Sequence, residues 1–223
     1  MISRFEIMSD LILLSDFDGT IVDVDTGSAA LSKFAAGDWE KIEKQYTLEQ
    51  ITFEESLRRQ FSMIAAPELA IVKEMDAVAV VRPYFAEMVN YCRQMRVPFI
   101  ITSGGLDFLI RHVMSKKGVD DYVRVYAPKA ECRPEGIRLD FPKLHDPDSY
   151  SFKDDLVLHY QRDGHRVAYI GDGHADYYAL KKADYAFAMK DSPSAQRCRR
   201  DKIKFEEIVD FQAVLDVLPK MIH

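Results

Sequence analysis

The sequence has few cysteines and no paired ones. Cys92, Cys132 and Cys198 are odd in number and far apart, with no C-x-x-C spacing, so buried free thiols are expected rather than a disulfide framework or a zinc knuckle. Histidine offers no zinc site either, because His112, His145, His159, His165 and His223 show no H-x-x-x-H spacing. Long apolar runs are also missing: residues 77–81 and 97–101 are the longest, far short of the roughly 20 a membrane-spanning helix needs, and no membrane partner is expected. Residues 1–10 are broken by Arg4, Glu6 and Asp10 and lack the apolar centre of a secretory signal, which makes a cytoplasmic location the expectation. Positive charge is in deficit, with 30 Lys and Arg against 36 Asp and Glu and a net charge of -6. That balance argues against a nucleic-acid partner, which would call for a basic stripe, while a local basic pocket stays open. Internal repeats and low-complexity segments are absent.

What is present suits one ordinary domain carrying a smaller insert: 223 residues, 48% of them hydrophobic and 30% charged. Residues 11–14 run apolar without alternation, as a parallel strand buried on both faces does. Residues 97–101, 122–126, 167–170 and 185–189 read as further strands of the same kind. Between them lie helical stripes. Phe85, Met88, Val89 and Cys92 share one face behind Pro83 at a helix start, and Leu106, Leu109, Ile110, Val113 and Met114 share another, closed by Lys116-Lys117-Gly118. Five strands alternating with helices predict an α/β fold, a doubly wound parallel sheet. Residues 26–80 break this rhythm with helical segments and no convincing strand, so they predict a small helical cap inserted after the first strand. In it Thr52 and Glu55 have capping-box spacing. The core is then residues 1–25 and 81–223. Arg133-Pro134-Glu135-Gly136 predicts a hairpin turn.

The first strand ends in Asp16-Phe17-Asp18-Gly19, and residues two apart on a strand face the same way, so Asp16 and Asp18 can share a site. Two such carboxylates repel, and a bound divalent cation relieves the repulsion, magnesium being favoured by all-oxygen ligands and phosphate substrates. Taken alone, the pair is equally an ordinary Asp-Gly turn. Three other segments fall near equivalent strand ends, where open α/β sheets gather their ligands. Thr102-Ser103-Gly104-Gly105 offers a hydroxyl and close-approaching backbone N–H groups before a helix. Gly171-Asp172-Gly173-His174-Ala175-Asp176 brings two more carboxylates, and Lys153 stands one predicted helix ahead of that strand as a point charge for a phosphate.

Together, Asp16-Phe17-Asp18-Gly19-Thr20, Ser103-Gly104-Gly105, Lys153 and Gly171-Asp172-Gly173-His174-Ala175-Asp176 resemble the four ordered motifs of the haloacid dehalogenase superfamily. Phe53-Glu54-Glu55-Ser56-Leu57-Arg58 and Gly104-Gly105-Leu106-Asp107 narrow the likeness to its phosphoserine phosphatase-like branch. The resemblance implies a phosphatase that acts on a small-molecule phosphomonoester. Asp16 is implied as nucleophile and Asp18 as general acid and base, with Ser103 and Lys153 holding the phosphoryl group. It implies Mg2+ on Asp16, the Asp18 main-chain carbonyl and Asp172, supported by Asp176. Gly104, Gly105, Asp25, Gln60, Arg58 and Arg59 are the implied substrate-binding positions, the arginines being equally readable as a solvated helix face.

The chain departs from that branch at Gln60, where phosphoserine phosphatases carry an arginine, and at Asp25, where they carry a glutamate. A sugar-derived or keto phosphate is therefore expected ahead of phosphoserine. A receiver-like phosphoacceptor and an inactive phosphoester-binding module are the readings of another class.

Overall fold

The computed structural model describes residues 9–222; the expectation for residues 1–10 falls mostly outside them, as does His223. The first strand, β1 (Leu11–Ser15), is buried at every residue. Its pleat sends alternate side chains to opposite faces, and the burial follows that alternation. Leu11 and Leu13 join one apolar cluster, and Ile12 and Leu14 join another on the far side of the sheet. After β1 come helices α1 (Thr26–Phe34), α2 (Trp39–Thr47), α3 (Phe53–Phe61) and α4 (Glu68–Asp76). The chain continues through α5 (Phe85–Met95), β2 (Phe99–Thr102), α6 (Asp107–Lys116), β3 (Arg124–Tyr126) and the hairpin strands β4 (Lys129–Arg133) and β5 (Gly136–Asp140). It ends with α7 (Phe152–Arg162), β6 (Arg166–Gly171), α8 (Asp176–Lys182), β7 (Tyr185–Met189), α9 (Pro193–Arg200), β8 (Glu206–Ile208) and α10 (Gln212–Ile222).

The main sheet has six strands in the order β3-β2-β1-β6-β7-β8, parallel in every pairing. Residues of α5, α6 and α10 cover one face, and residues of α7, α8 and α9 cover the other. This is the expected doubly wound α/β architecture with one strand more. The additional strand, β8, lies at the sheet edge, and its Glu206 and Glu207 are exposed. No apolar pattern could have marked it.

The chain steps outward from β1 to β2 and β3, then crosses back to β6. That reversal places the ends of β1 and β6 at the crevice where doubly wound folds bind ligands.

The insert leaves and rejoins the core at neighbouring points, since Val22 bridges Val81 and the Asp23 N–H donates to the Val80 carbonyl at 3.1 Å. Ala30, Leu31, Phe61, Ile64, Ile71 and Met75 of the insert pack with Leu106 and Leu109 of α6 and with Ile137 and Leu139 of the hairpin. The β4–β5 hairpin thus packs with the inserted helices. Two local expectations are modified. Helix α5 begins at Phe85 rather than at Pro83, behind a left-handed Tyr84. Thr52 accepts from the Glu55 N–H at 3.1 Å, but the Glu55 carboxylate turns to Arg59 at 3.6 Å instead of closing the box. No helix among the described residues is long and apolar enough to cross a membrane.

Candidate active site

Asp16 directly follows β1, and its N–H still donates to the Ile170 carbonyl of β6 at 2.8 Å, which fixes the residue at the end of the parallel ladder. Asp172 follows β6 in the same way, and Asp176 opens α8. One carboxylate oxygen from each of Asp16, Asp172 and Asp176 lies within 4.8 Å of the others. Lys153 reaches into this group from the first turn of α7, with Nζ 2.9 Å from Asp16 Oδ1 and 2.7 Å from Asp176 Oδ1. The position of the lysine is set locally. Ser151 caps α7 by accepting from the Lys153 N–H, and the Ser151 N–H donates to Asp154 at 2.7 Å, completing a capping box. Asp176 is fixed by the Tyr169 hydroxyl at 2.6 Å and the Gly173 N–H at 2.8 Å.

The charges do not balance. Burial, reinforced by Asp176, pushes the Asp16 carboxyl well above its usual range, with Lys153 only partly countering. Burial and the Asp176 charge push Asp172 up to about 7. Burial also opposes ionisation of Asp176, but Lys153 and hydrogen bonds outweigh it and hold that carboxyl below the usual range. Burial works against the Lys153 charge, and its two carboxylate partners raise the ammonium pKa nonetheless. One lysine faces three clustered carboxylates, and every donor atom of the trio is oxygen, so a hard divalent cation fits the charge and the ligand chemistry here.

Asp18 points elsewhere. Its Oδ1 accepts from the Thr26 N–H at 2.8 Å and the Thr26 hydroxyl at 2.5 Å, so its carboxylate is not part of the trio and does not share one cation site with Asp16 as the strand spacing suggested; the ligand expected of Asp18 is its main-chain carbonyl. Burial, then the Asp25 charge, pushes Asp18 up to about 7. The turn that follows Asp18 depends on Gly19, whose φ is +70° and where a Cβ would sit 2.3 Å from Asp172 Oδ2. Thr20 donates to Asp172 Oδ1 at 2.8 Å, and Arg82 ties the turn down by donating to the Gly19 and Thr20 carbonyls. Across from Asp18, Ser103 Oγ accepts from the Gly105 N–H at 3.0 Å. A Cβ at Gly104 would lie 2.7 Å from atoms of both Phe53 and Leu57, so loop and insert touch at that point.

These groups open onto a cavity of about 180 Å³ that α1, α2 and α3 help to enclose. It brings together most of the expected positions: Asp16, Asp18, Asp25, Gln60, Ser103, Gly104, Gly105, Lys153, Asp172 and Asp176 all line it. Asp25 does so while capping α1, with Oδ1 accepting from the Ser28 N–H at 2.7 Å. Arg58 and Arg59 do not reach it. Arg58 donates to the Leu139 carbonyl at 2.7 Å and lies over the Phe141 ring, while Arg59 pairs with Glu55 at the surface. The hairpin provides a carbonyl and an aromatic face on the other side of α3, and these draw the arginine away.

Other lining residues carry no motif. Glu43 and Tyr46 of α2 reach the cavity through tertiary packing alone. Tyr169 had a faint signal, being the one tyrosine among the otherwise small and aliphatic residues that follow Arg166 in β6. At the rim His174 meets Tyr46 edge-on. Glu49, just beyond α2, accepts from Tyr178 of α8 at 3.0 Å and faces Arg197 of α9 at 3.3 Å, joining insert to core.

The fold and this cluster of carboxylates and lysine define a class. The sequence model of the haloacid dehalogenase-like hydrolases matches residues 13–181, and the chain belongs to that family. It is a phosphatase. Among individual relatives, the 2-hydroxy-3-keto-5-methylthiopentenyl-1-phosphate phosphatase of Brevibacillus brevis is 28% identical over 216 residues, 95% of this chain and 96% of that protein. The protein of the same name from Geobacillus thermodenitrificans is 30% identical over 184 residues, 80% of this chain and 82% of that one. In fold the chain is similar to a phospho-aspartyl intermediate analogue of phosphoserine phosphatase, with a TM-score of 0.67 and 19% identity over 92% of this chain and 97% of that one.

Proposed function

We propose that this phosphatase hydrolyses a small keto phosphate, with 2-hydroxy-3-keto-5-methylthiopentenyl-1-phosphate, named for its relatives, as the leading candidate. Asp16 is the nucleophile, residues 26–80 are the cap that selects the leaving group, and residues 1–25 and 81–223 are the catalytic core. The observation that carries the reading is the Asp16 carboxylate at the end of β1, beside Lys153 and opening onto the cavity.

In the first displacement an Asp16 oxygen bonds to phosphorus as the ester P–O bond breaks, and protonated Asp18 gives its proton to the leaving oxygen. In the second, Asp18 takes a proton from water as that water attacks the aspartyl phosphate, which releases phosphate and restores Asp16. Asp18, pushed up to about 7, can both give and take a proton near neutrality. Lys153 and Ser103 position the phosphoryl oxygens. Magnesium would be held by Asp16, Asp172 and the Asp18 main chain, with Asp176 behind, and would supply charge neutralisation between the nucleophile and the phosphoryl group.

Phosphoserine is the poorer fit. Its carboxylate would meet the neutral Gln60, and losing a charge-assisted hydrogen bond there costs about 1.5–3 kcal/mol, roughly ten- to a hundredfold in affinity. The test is phosphate release from the keto phosphate and from phosphoserine with magnesium, with chelator, and with Asp16→Asn. Turnover that is fastest on the keto phosphate and absent in both controls is expected. Full activity in chelator or in the variant, or a clear preference for phosphoserine, overturns the reading.

A further inference from the structure

Four polar side chains of the insert, Glu43, Tyr46, Ser56 and Gln60, reach the cavity from α2 and α3, and their hydrogen bonds determine what they can offer a ligand. Gln60 is only 3% exposed, and its Nε2 donates to Glu43 Oε2 at 2.8 Å and to Ser56 Oγ at 2.8 Å. A side-chain amide has two N–H groups, and both are used. The carboxylate of Glu43 accepts only, which fixes the way the amide faces. Among the described residues the Gln60 Oε1 has no hydrogen-bond partner, so the amide turns an unused acceptor toward the cavity it lines. The neighbouring groups have the same character. The Ser28 hydroxyl is spent on Asp25 Oδ2 at 2.8 Å, leaving carboxylate oxygens exposed there, and Glu43 itself lines the cavity. Tyr46, 5% exposed, also lines the cavity, but its hydroxyl is buried and faces Tyr150. Lys153, the one Lys or Arg among the described residues of the lining, is held between Asp16 and Asp176. Leu31, Phe53, Leu57 and Phe61 complete the wall with apolar surface.

We propose that Gln60, locked by Glu43 and Ser56, forms a leaving-group subsite that selects a neutral, hydroxyl-bearing substituent and rejects a carboxylate. A substrate hydroxyl donates to Gln60 Oε1, which satisfies the unused acceptor. A carboxylate has no proton to give. It would leave the Gln60 acceptor unpaired and face Glu43 and Asp25 with like charge. A buried polar group left without a partner is a strong basis for discrimination, because a site built for a hydroxyl penalises the analogue that lacks it. The inference deepens the phosphatase reading above and rests on it.

The experiment compares kcat/KM for glycerol 1-phosphate, propyl phosphate and 3-phosphoglycerate, which share a three-carbon leaving group with hydroxyls, without them, and with a carboxylate. Turnover of p-nitrophenyl phosphate by the wild type, lost in Asp16→Asn, checks the phosphatase reading separately. We expect glycerol 1-phosphate to exceed each of the others by about tenfold or more. Gln60→Leu should bring the glycerol-to-propyl ratio to near one. Gln60→Arg, which keeps a long polar side chain against Glu43 if the leucine variant misfolds, should turn the glycerol-to-glycerate ratio from above one to below it. Equal wild-type rates on glycerol 1-phosphate and propyl phosphate, a preference for 3-phosphoglycerate, or ratios untouched by both substitutions would overturn the subsite while leaving the phosphatase reading standing.

Discussion

Asp172→Asn should make the metal-free protein more stable and the enzyme inactive, two effects of opposite sign from one atom pair. Asp172 lies within 4.8 Å of Asp16 and Asp176 and is pushed from 3.8 up to about 7, first by burial and then by Asp176. A carboxyl whose folded pKa is raised lowers stability as pH rises from its unfolded pKa to its folded one, and the loss is complete above about 7. The ceiling on that loss is about 4 kcal/mol. Asp172 is partly open to the cavity, so screening by water reduces the figure to about 1–2 kcal/mol. Asparagine keeps an oxygen to accept from Thr20 and removes the charge.

The measurement is urea unfolding in chelator, followed by backbone circular dichroism and by the fluorescence of Trp39, the chain's one tryptophan and a reporter on the insert. At about pH 8 the variant should gain about 1–2 kcal/mol, and the gain should shrink toward pH 5, where wild-type Asp172 is protonated in the folded state. With magnesium at a hundred times its dissociation constant the wild type should recover about 2.7 kcal/mol, and the variant much less. A variant less stable than wild type in chelator at the higher pH would refute the claim that these carboxylates repel.

Two further substitutions test parts of the same frame. Thr26→Val removes the hydroxyl that donates to Asp18 at 2.5 Å and favours its carboxylate, so the Asp18 pKa should rise above about 7. In the proposed mechanism protonated Asp18 serves the leaving oxygen, so the alkaline limb of the kcat/KM profile should move up by about one pH unit, and an unmoved limb counts against Asp18 as the acid. Gly19→Ala sets a methyl 2.3 Å from Asp172 Oδ2 at a φ of +70°; the backbone alone adds about 1–2 kcal/mol, and the displaced carboxylate should lower kcat at least tenfold at saturating substrate.

The core of the site was legible because strand ends carry their chemistry within a few residues. Asp16, Asp172 and Lys153 each sit beside an element whose apolar pattern marks its end, and the fold brings those ends to one crevice. What was not legible depends on which way a helix turns. Arg58 and Gln60 are two residues apart on α3, yet Gln60 faces the cavity and Arg58 the hairpin, because Leu139 and Phe141 offer the arginine a carbonyl and a ring. Glu43 reaches the site only through α2 packing on α3, which no local pattern encodes. The spacing of Asp16 and Asp18 suggested that their carboxylates share one cation site. Strand β1 ends at Ser15, so its alternation does not extend to them, and Thr26 takes up the Asp18 carboxylate.

The distribution of charge over the cavity has a consequence for how binding steps combine. Asp16, Asp18, Asp25, Glu43, Asp172 and Asp176 all line it, against Lys153 as the one Lys or Arg among the described residues there, and that lysine is already shared by two of the carboxylates. A phosphate dianion entering the bare cavity meets net repulsion. Its affinity therefore depends on prior neutralisation of the trio, and by reciprocity a phosphate held there strengthens whatever cation neutralises it. The insert adds no Lys or Arg to the described lining, so it contributes no charge attraction for phosphate and can differ between relatives without disturbing the chemistry proposed at Asp16. Phosphoryl binding and leaving-group choice are thereby assigned to different walls of one cavity. They meet where Gly104 touches Phe53 and Leu57, which is where a shift of the insert would first be felt by the phosphate loop.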